Sequence, residues 1–404
     1  MRLPEDVSAA MDRLERAGFA AYAVGGCVRD AELGLAPHDW DVCTAATPAE
    51  MQRVFAGERT IETGLRHGTL TVILDRTPLE ITTFRQDGAY LDGRHPSAVR
   101  FTRRIEDDLS RRDFTVNAMA YRSEEGVVDP FGGRRDCALR VIRCVGAPET
   151  RFAEDALRIL RALRFAAKLD FTIDPATARA AVALRGTLNK ISRERVAAEM
   201  NGLLLGRAAG RVLRDYPAVA AQSVRGLTAE DVSRAAQSVA LLPAVLPLRW
   251  SALLFPLSPA CAREALEALK MPGSLTRETE RILAACRAHI TPDSLPEALV
   301  RYGEETLRAA FSLRSAQGDL SAAACGARLS ALLRQGVCHS LRQLAVNGDD
   351  LRAIGLTGRQ IGDTLQALLL CAARGEALNE RGALLAAARR MQPADMPEGG
   401  AARS

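Results

Sequence analysis

Two acidic residues one position apart, Asp39 and Asp41, are the side chains of this sequence best suited to chemistry. In an extended strand, residues i and i+2 point to the same face, so the two carboxylates would converge on one spot. Adjacent carboxylates repel each other unless a cation neutralises them. Proteins commonly bind Mg²⁺ with one or two carboxylates and substrate phosphates. The pair therefore predicts a magnesium site, although a D-x-D pattern alone is also typical of a polar turn.

The segment before this pair has the features of a phosphate cradle. A short apolar run ends in Gly25 and Gly26, and a helix-like segment follows that carries Arg29. Glycine lets the backbone approach a ligand closely, and the amides at a helix N-terminus favour anions. Arginine adds a fork of donors that matches a phosphate. These residues, in this order, predict a site for a nucleoside triphosphate and its metal ions.

Two further candidates lie downstream in the same half of the chain. Glu80 lies in a strand-like run and would supply a third carboxylate beside Asp39 and Asp41, unless it only faces solvent. Arg111 and Arg112 are adjacent and precede an acid, so they are suited to clamp a triphosphate. Alone, the two arginines would also fit an ordinary salt-bridged surface.

A polar stripe marks the segment 153–168, which we predict to be one helix. Asp155 and Arg158 would then be i, i+3 neighbours. Arg161 and Arg164 continue the stripe, with a drift of roughly 60° per step. In isolation, this spacing is also typical of an amphipathic helix with internal salt bridges.

Composition favours a folded intracellular protein of more than one domain. The 404 residues are 48% hydrophobic and 25% charged, with a net charge of +5 that permits nucleic-acid binding without requiring it. No apolar window reaches the ~18 residues of a membrane span, and the N-terminus has no signal-peptide core. Nine scattered cysteines form no C-x-x-C pair, which favours reduced thiols. We expect a cytoplasmic protein.

The pattern of elements changes near residue 150. The first part is expected to be mixed α and β, with strands at 20–24, 38–43, 69–75, 79–84, 98–102 and 117–122 and helices at 5–17 and 48–55. A loop rich in glycine and charge follows from Arg85 to Arg100. Later residues favour helices, at 153–168, 175–184, 193–205 and through most of 230–390.

Together these motifs resemble the bacterial class II tRNA nucleotidyltransferase and poly(A) polymerase family, and most closely its CCA-adding enzymes. The resemblance rests on five segments in order, namely 25–41, 111–118, 129–133, 154–165 and 191–199, with a weaker match at 346–362. It implies an α+β fold, with a mixed α/β nucleotidyltransferase head, similar to DNA polymerase β, followed by an all-α neck, body and tail. We expect the head at 1–140, the neck at 141–205, the body and tail at 206–391, and a disordered tail at 392–404.

The resemblance also implies roles for the candidate residues. Asp39 and Asp41 match the metal-binding acids, and Glu80 falls where the third catalytic carboxylate would lie. The nucleotide-binding positions of the family match Gly26, Arg29, Arg112, Asp155, Arg158, Arg161 and Arg164. Within this set, Asp155 and Arg158 match the pair that selects the base.

The expected activity is the addition of C, C and A to the 3′ end of tRNA from CTP and ATP, with Mg²⁺ as cofactor and pyrophosphate as product. The helical half would hold the acceptor stem and elbow of tRNA; no membrane or protein partner is implied. Two alternatives stay open: a relative that adds only A, only CC or poly(A), and a non-enzymatic RNA-binding protein with an inactive head. The full-length loop 86–97 argues against a CC-only enzyme, and the three acids argue against an inactive head.

Overall fold

The protein is described by a computed structural model that covers residues 1–37, 39–74, 76–88 and 99–391. Residues 392–404, expected to form a disordered tail, lie outside the described residues. The chain divides into two compact units. The first contains residues 1–240 and 264–271, and the second contains residues 241–263 and the described residues from 272 onward. No helix in the described ranges is long and apolar enough to cross a membrane.

The strands lie in the first 175 residues of the described chain. They are β1 (Ala21–Val24), β2 (Asp41–Thr44), β3 (Arg59–Ile61), β4 (Thr69–Leu74), β5 (Thr77–Thr83), β6 (Arg85–Asp87), β7 (Val99–Phe101), β8 (Ala120–Arg122), β9 (Gly126–Val128), β10 (Val141–Ile142) and β11 (Thr172–Ile173). Seven of them form one sheet in the order β3-β4-β5-β2-β1-β8-β9.

Strand β2 lies at the centre of this sheet and positions the acidic pair. It runs antiparallel to β1, with Asp41 opposite Val24, and parallel to β5, with Asp41 opposite Glu80. Neighbouring strands are roughly 4.8 Å apart, and residues in register leave the sheet on the same face. The register therefore places Glu80 beside Asp41, as the sequence predicts.

The helices of the first unit surround and extend this sheet. They are α1 (Glu5–Arg16), α2 (Gly26–Glu32), α3 (Pro48–Val54), α4 (Ile105–Ser110), α5 (Gly133–Leu139), α6 (Pro148–Glu154), α7 (Leu157–Leu169), α8 (Pro175–Leu184), α9 (Arg193–Leu204), α10 (Ala209–Asp215), α11 (Pro217–Ser223) and α12 (Ala229–Leu241). The last residue of α12 and all later helices except part of α14 belong to the second unit.

The described part of the second unit is helical. Its helices are α13 (Leu246–Leu254), α14 (Pro259–Ala268), α15 (Gly273–Arg287), α16 (Leu295–Tyr302), α17 (Glu304–Ala316), α18 (Leu320–Arg334), α19 (Gly348–Arg352), α20 (Arg359–Arg374) and α21 (Arg381–Met391). Helix α19 begins with a capping box in which Asn347 and Asp350 satisfy each other's backbone amides. The α+β fold is confirmed: a mixed α/β head precedes a mostly helical remainder.

The head has an apolar core directly behind the acidic pair. Tyr22 and Val24 of β1 pack with Cys43 of β2 and Leu109 of α4, and Phe84 closes the cluster. All four residues of β1 are buried, which explains its unbroken apolar sequence. This core fixes the end of β1, from which the glycine turn departs.

Three expected boundaries are wrong. Strand 38–43 begins only at Asp41, so Asp39 precedes the strand. The expected loop 85–100 begins and ends in paired strands, because β6 and β7 form a two-stranded antiparallel sheet; residues 89–98 lie outside the described chain. The expected helix 153–168 is two helices, α6 and α7, because the backbone is extended at Asp155 between them.

Candidate active site

A cleft of about 730 Å³ opens in the first unit and collects most of the candidate residues. Its described lining carries eight basic and five acidic side chains. The predicted residues in this lining are Gly26, Arg29, Asp39, Asp41, Arg112, Asp155, Arg158, Arg161 and Arg164. Glu80 is absent from the lining, although it neighbours Asp41 in the sheet.

The turn between β1 and α2 depends on Gly25 more than on the predicted Gly26. Gly25 has φ +78°, a backbone conformation that L side chains rarely adopt. A Cβ on Gly25 would lie 2.8 Å from Nη1 of Arg112, whereas one on Gly26 would meet only Arg29, at 3.6 Å. Gly25 therefore lets the turn pass close to the Arg112 guanidinium.

The acidic pair faces the same cleft even though only Asp41 is in a strand. The Asp41 side chain reaches solvent at the cleft wall. The protein atoms around its carboxylate nevertheless remove part of its hydration, and this desolvation raises the pKa of Asp41 above the usual value. Arg112 opposes this rise, and the negative charges of Glu80 and Asp39 add to it. A cation beside Asp41 would relieve that repulsion.

The oxygen donors of Asp39 and Asp41 are those that Mg²⁺ prefers. Among the residues that the structure describes, however, no group of three His, Cys, Asp or Glu side chains is arranged to hold a metal ion. The acidic pair therefore fits a cation that completes its coordination with other ligands, such as phosphate oxygens. The metal-binding role of the pair, and the catalytic role of Glu80, stay predictions.

Arg29 is fixed at the base of the cleft. Only 4% of its surface is exposed. Its guanidinium donates to Oδ1 of Asp30 at 2.7 Å and to Oδ1 of Asn117 at 2.6 Å. The Asn117 side chain in turn donates to Asp113. Arg29 is thus held rigidly, with part of its fork turned to the cleft.

A fully buried carboxylate, Asp108 of α4, holds the two adjacent arginines. Arg111 donates to its Oδ1 at 2.8 Å, and Arg112 donates to its Oδ2 at 3.2 Å. Burial disfavours the charge of Asp108, but the two guanidinium groups outweigh it and hold the pKa of Asp108 below its usual value. Nearby, burial raises the pKa of Cys43 to about 12, so this thiol stays neutral.

The predicted Asp155–Arg158 pair is wrong as an i, i+3 contact on one helix. Asp155 has an extended backbone between α6 and α7, and its Oδ1 accepts from the Leu157 amide at 3.0 Å. The bond satisfies the amide of the first residue of α7, and the extended backbone of Asp155 separates the two helices. Oδ2 of Asp155 accepts from Arg195 of α9 at 2.7 Å.

Arg158 instead bonds to Glu154, on the last turn of α6. It also donates to the backbone carbonyls of Arg151 and Arg111, each at 3.1 Å. Asp155 and Arg158 both line the cleft, but each is oriented by a separate partner. The helix break thus presents a carboxylate and a guanidinium to the same space without neutralising one against the other.

Arg161 and Arg164 line the cleft from α7 and are tied to two buried acids. Arg161 donates to Asp113 at 2.7 Å, and Arg164 donates to Glu199 of α9 at 2.5 Å. Arg161 also lies 3.8 Å from Glu199. Burial disfavours the charge of Asp113, yet Arg161 and hydrogen bonds keep its pKa below the usual value.

Several lining residues have roles that the sequence does not reveal. Phe165 packs under the guanidinium groups of Arg29, Arg161 and Arg164, at 5.4, 5.2 and 4.2 Å from its ring centre. Arg195 holds Asp155 from a helix forty residues away. The sequence indicates Arg195 only as part of the segment 191–199, and no local pattern indicates that Arg195 bonds to Asp155.

Family models match the chain in three places. The description "Poly A polymerase head domain" matches residues 21–143, "Probable RNA and SrmB- binding site of polymerase A" matches 170–216, and a model of tRNA nucleotidyltransferase domain 2 matches 247–388. The first contains the sheet and its acidic pair.

Relatives that match nearly the whole chain indicate the same family as these models. A CCA-adding enzyme of Streptococcus thermophilus is 35% identical over 404 residues, covering 95% of this chain and 97% of the relative. One from Bacillus licheniformis is 36% identical, covering 92% and 94%. The crystal structure of the Bacillus stearothermophilus CCA-adding enzyme with CTP has 31% identity and a TM-score of 0.80, covering 96% and 98%.

A mixed sheet with a glycine turn and an acidic pair, joined to a helical remainder, defines the nucleotidyltransferase class that these relatives share. The chain belongs to the CCA-adding enzyme family, the bacterial class II tRNA nucleotidyltransferases, and is an enzyme of that class.

The glycine turn gives a matched test. We expect Gly25→Ala to destabilise the fold by about 1–3 kcal/mol, because alanine is strained at this φ and its methyl group would displace Arg112. CTP affinity should fall with the displacement. Gly26→Ala should leave both quantities close to wild type. Urea unfolding and CTP titration measure the two effects, and equal behaviour of the two variants would contradict this account of the turn.

Proposed function

We propose that this chain adds C, C and A in sequence to the 3′ end of tRNA, using CTP and then ATP and releasing pyrophosphate. The observation that carries the proposal is that one cleft is lined by the acidic pair and by Asp155 and Arg158, to which we assign base selection. CCA-adding relatives at about 35% identity, matched over nearly their whole length, support the same activity.

The reaction requires the terminal 3′ hydroxyl of RNA to attack the α-phosphorus of the nucleotide. A bond forms between that oxygen and phosphorus, the α–β phosphoanhydride bond breaks, and pyrophosphate leaves; the hydroxyl proton passes to solvent. We assign the triphosphate to the Gly25 turn, with Arg29 and Arg112 as its fixed cations. Because both arginines are already held by protein partners, little ordering is needed when charge develops.

We further propose that Asp39 and Asp41 hold Mg²⁺ and that Glu80 supports them. Their oxygen chemistry and the raised pKa of Asp41 fit a cation at this place. When bound, the metal ions supply the charge that activates the hydroxyl and stabilises the leaving group. Without a cation, the two carboxylates would repel an approaching triphosphate.

Base selection follows from the groups that Asp155 and Arg158 leave free. Each oxygen of Asp155 accepts one hydrogen bond from the protein and keeps capacity for another. Arg158 uses three of its five N–H groups on Glu154, Arg151 and Arg111 and retains two. Cytosine and adenine both carry an exocyclic amine beside a ring acceptor, which this carboxylate and guanidinium match.

Guanine and uracil place a carbonyl oxygen where that amine would be. Two acceptors then face each other, at a cost of ~1–3 kcal/mol for the unpaired group. The rigid protein pair would thus replace a nucleic-acid template. The helical half would hold the acceptor stem and elbow through phosphates and shape, since duplex RNA is poorly read by base sequence. We place this activity in the cytoplasm.

The extension assay decides among the candidate activities. We expect tRNA that lacks its last three nucleotides to gain all three when CTP and ATP are present, and two when only CTP is present. A product that stops at CC with both nucleotides, that gains A only, or that carries a long A tail would instead establish one of the narrower relatives.

Removal of the acidic pair should abolish chemistry and spare nucleotide binding. We expect Asp39→Asn and Asp41→Asn to lower the incorporation rate at least about 10³-fold, while CTP affinity measured without metal stays the same or rises, because one of the two charges that repel the triphosphate is removed. Chelation of divalent cations should stop wild-type incorporation, and added Mg²⁺ should restore it. The control is Glu149→Asn, an exposed acid on α6. Full activity in both the Asp39→Asn variant and the Asp41→Asn variant would contradict the metal assignment.

Asp155→Asn should relax base selection, because an amide presents donors as well as an acceptor. We expect discrimination of CTP against UTP, measured as a ratio of kcat/KM, to fall on the order of tenfold to a hundredfold. Asp170→Asn, an exposed acid just beyond α7, is the matched control. Unchanged discrimination in Asp155→Asn would remove this residue from base selection.

A further inference from the structure

A second groove of about 450 Å³ adjoins the cleft on the first unit. It is lined by Arg164, Lys168, Gly202, Leu205, Gly206 and Arg207. Arg164 and Lys168 line both the groove and the cleft, so the two spaces share a wall on α7. The described lining of the groove contains three basic side chains and no acid.

Lys168 differs from the basic residues around it. Every arginine that lines the cleft has a carboxylate within 4 Å, as the ion pairs of Arg29, Arg111, Arg112, Arg158, Arg161, Arg164 and Arg195 show. Within the described parts of the chain, the exposed Lys168 has no such partner. The positive charge of the cleft is therefore least compensated where it meets the groove.

Arg207 adds a second uncompensated charge on the other side of the groove. It is exposed, and its guanidinium donates to the carbonyl oxygen of Leu169 at 2.5 Å. Within the described residues, no carboxylate forms an ion pair with Arg207. A carbonyl fixes the direction of the side chain without cancelling its charge, so the remaining N–H groups are available to an anion.

Two glycines that line the groove, Gly202 in α9 and Gly206 just beyond its end, pack closely against α7. A Cβ on Gly202 would lie 2.5 Å from Cδ of Arg164, and one on Gly206 would lie 2.6 Å from the backbone carbon of Ala167. A side chain at Gly202 would therefore displace the Arg164 side chain, and one at Gly206 would press against the α7 backbone. The close packing brings the basic residues of α7 next to Arg207.

We propose that this groove binds the phosphodiester backbone of the RNA strand whose 3′ hydroxyl reacts, a few nucleotides from its end. This inference rests on the proposed function, which requires two polyanions to meet in one cleft. The nucleotide is assigned to the Gly25 turn, Arg29 and Arg112, none of which lines the groove. The second polyanion needs its own positive charge, and the groove supplies it.

The residue type fits a strand that must shift after each addition. Lysine acts as a flexible point charge, whereas arginine holds phosphates in a fixed bidentate geometry. The chain has only three lysines, at 168, 190 and 270. A lysine at the groove would follow successive phosphates as the RNA grows by one nucleotide, while the arginines of the cleft keep each incoming nucleotide in place.

Binding measurements on the full chain test the proposal without reference to catalysis. The probes are a tRNA transcript that lacks its last three nucleotides and CTP, each titrated separately against wild type, Lys168→Glu, Arg207→Ala and Lys190→Glu. Lys190→Glu is the matched control, since it reverses an exposed lysine outside the groove. Thermal unfolding of each variant verifies that the fold is intact.

We expect Lys168→Glu to weaken RNA binding about tenfold and to reduce the salt slope by about one to two, while CTP affinity stays within twofold. Lys190→Glu should have little effect. Replacement of the last three phosphodiester linkages of the transcript by neutral methylphosphonates should remove most of the difference between wild type and Lys168→Glu.

Other outcomes overturn the proposal. Weaker CTP binding with unchanged RNA binding would assign the groove to nucleotide phosphates. Equal losses of RNA affinity in Lys168→Glu and Lys190→Glu would indicate that RNA responds to the overall charge of the protein and not to the groove. No loss of RNA affinity in either variant would show that RNA does not bind in the groove. Failure of the proposed function has a separate signature, since wild type would then bind RNA without extending it.

Discussion

The cleft depends on the pairing of its arginines with carboxylates that lie behind them. Asp108, Asp113 and Glu199 are all at most 9% exposed, and together they hold Arg111, Arg112, Arg161 and Arg164. Without these acids, so many guanidinium groups would repel one another and turn toward solvent. A buried carboxylate with two charged donors loses its hydration but is compensated by both partners. The arrangement gives a positive cleft whose side chains are fixed before a ligand arrives.

Fixed side chains explain how a protein surface can discriminate between bases. A flexible arginine would adapt to uracil or guanine as readily as to cytosine or adenine, and the cost of a mismatched carbonyl would vanish. Here the two partners of Asp155 and the three partners of Arg158 hold each group in place, and we propose that the bonding capacity left on them reads the base. Lys168 is the exception in the described lining, and its freedom fits a ligand that moves.

The sequence predicts the elements that local patterns determine. The strand that ends at Val24 and the helix that begins at Pro48 lie where the residues indicate, and Asp41 lies in a strand although Asp39 does not. The sequence also predicts that the strand with Glu80 neighbours the acidic pair, whereas the parallel register that sets Glu80 opposite Asp41 comes from the structure. The sequence does not predict the helix break at Asp155, because the bonds of this residue include one to Arg195, which is distant in sequence. Likewise, the need for glycine at 25 rather than at 26 depends on a positive φ and on the closeness of Arg112, and no local pattern contains Arg112.

The most direct measurement concerns Asp108, which is fully buried and does not line the cleft. Asp108→Asn should weaken CTP binding about tenfold at pH 7 and lower the free energy of unfolding by roughly 3 kcal/mol, whereas Glu106→Gln on the same helix should do neither. Because the folded pKa of Asp108 is lowered, its contribution is complete above the unfolded pKa and is lost as pH falls through the folded pKa. The stability gap between wild type and Asp108→Asn should therefore narrow in acid. A destabilised Asp108→Asn variant that binds CTP as tightly as wild type would contradict the claim that buried carboxylates position the arginines of the cleft.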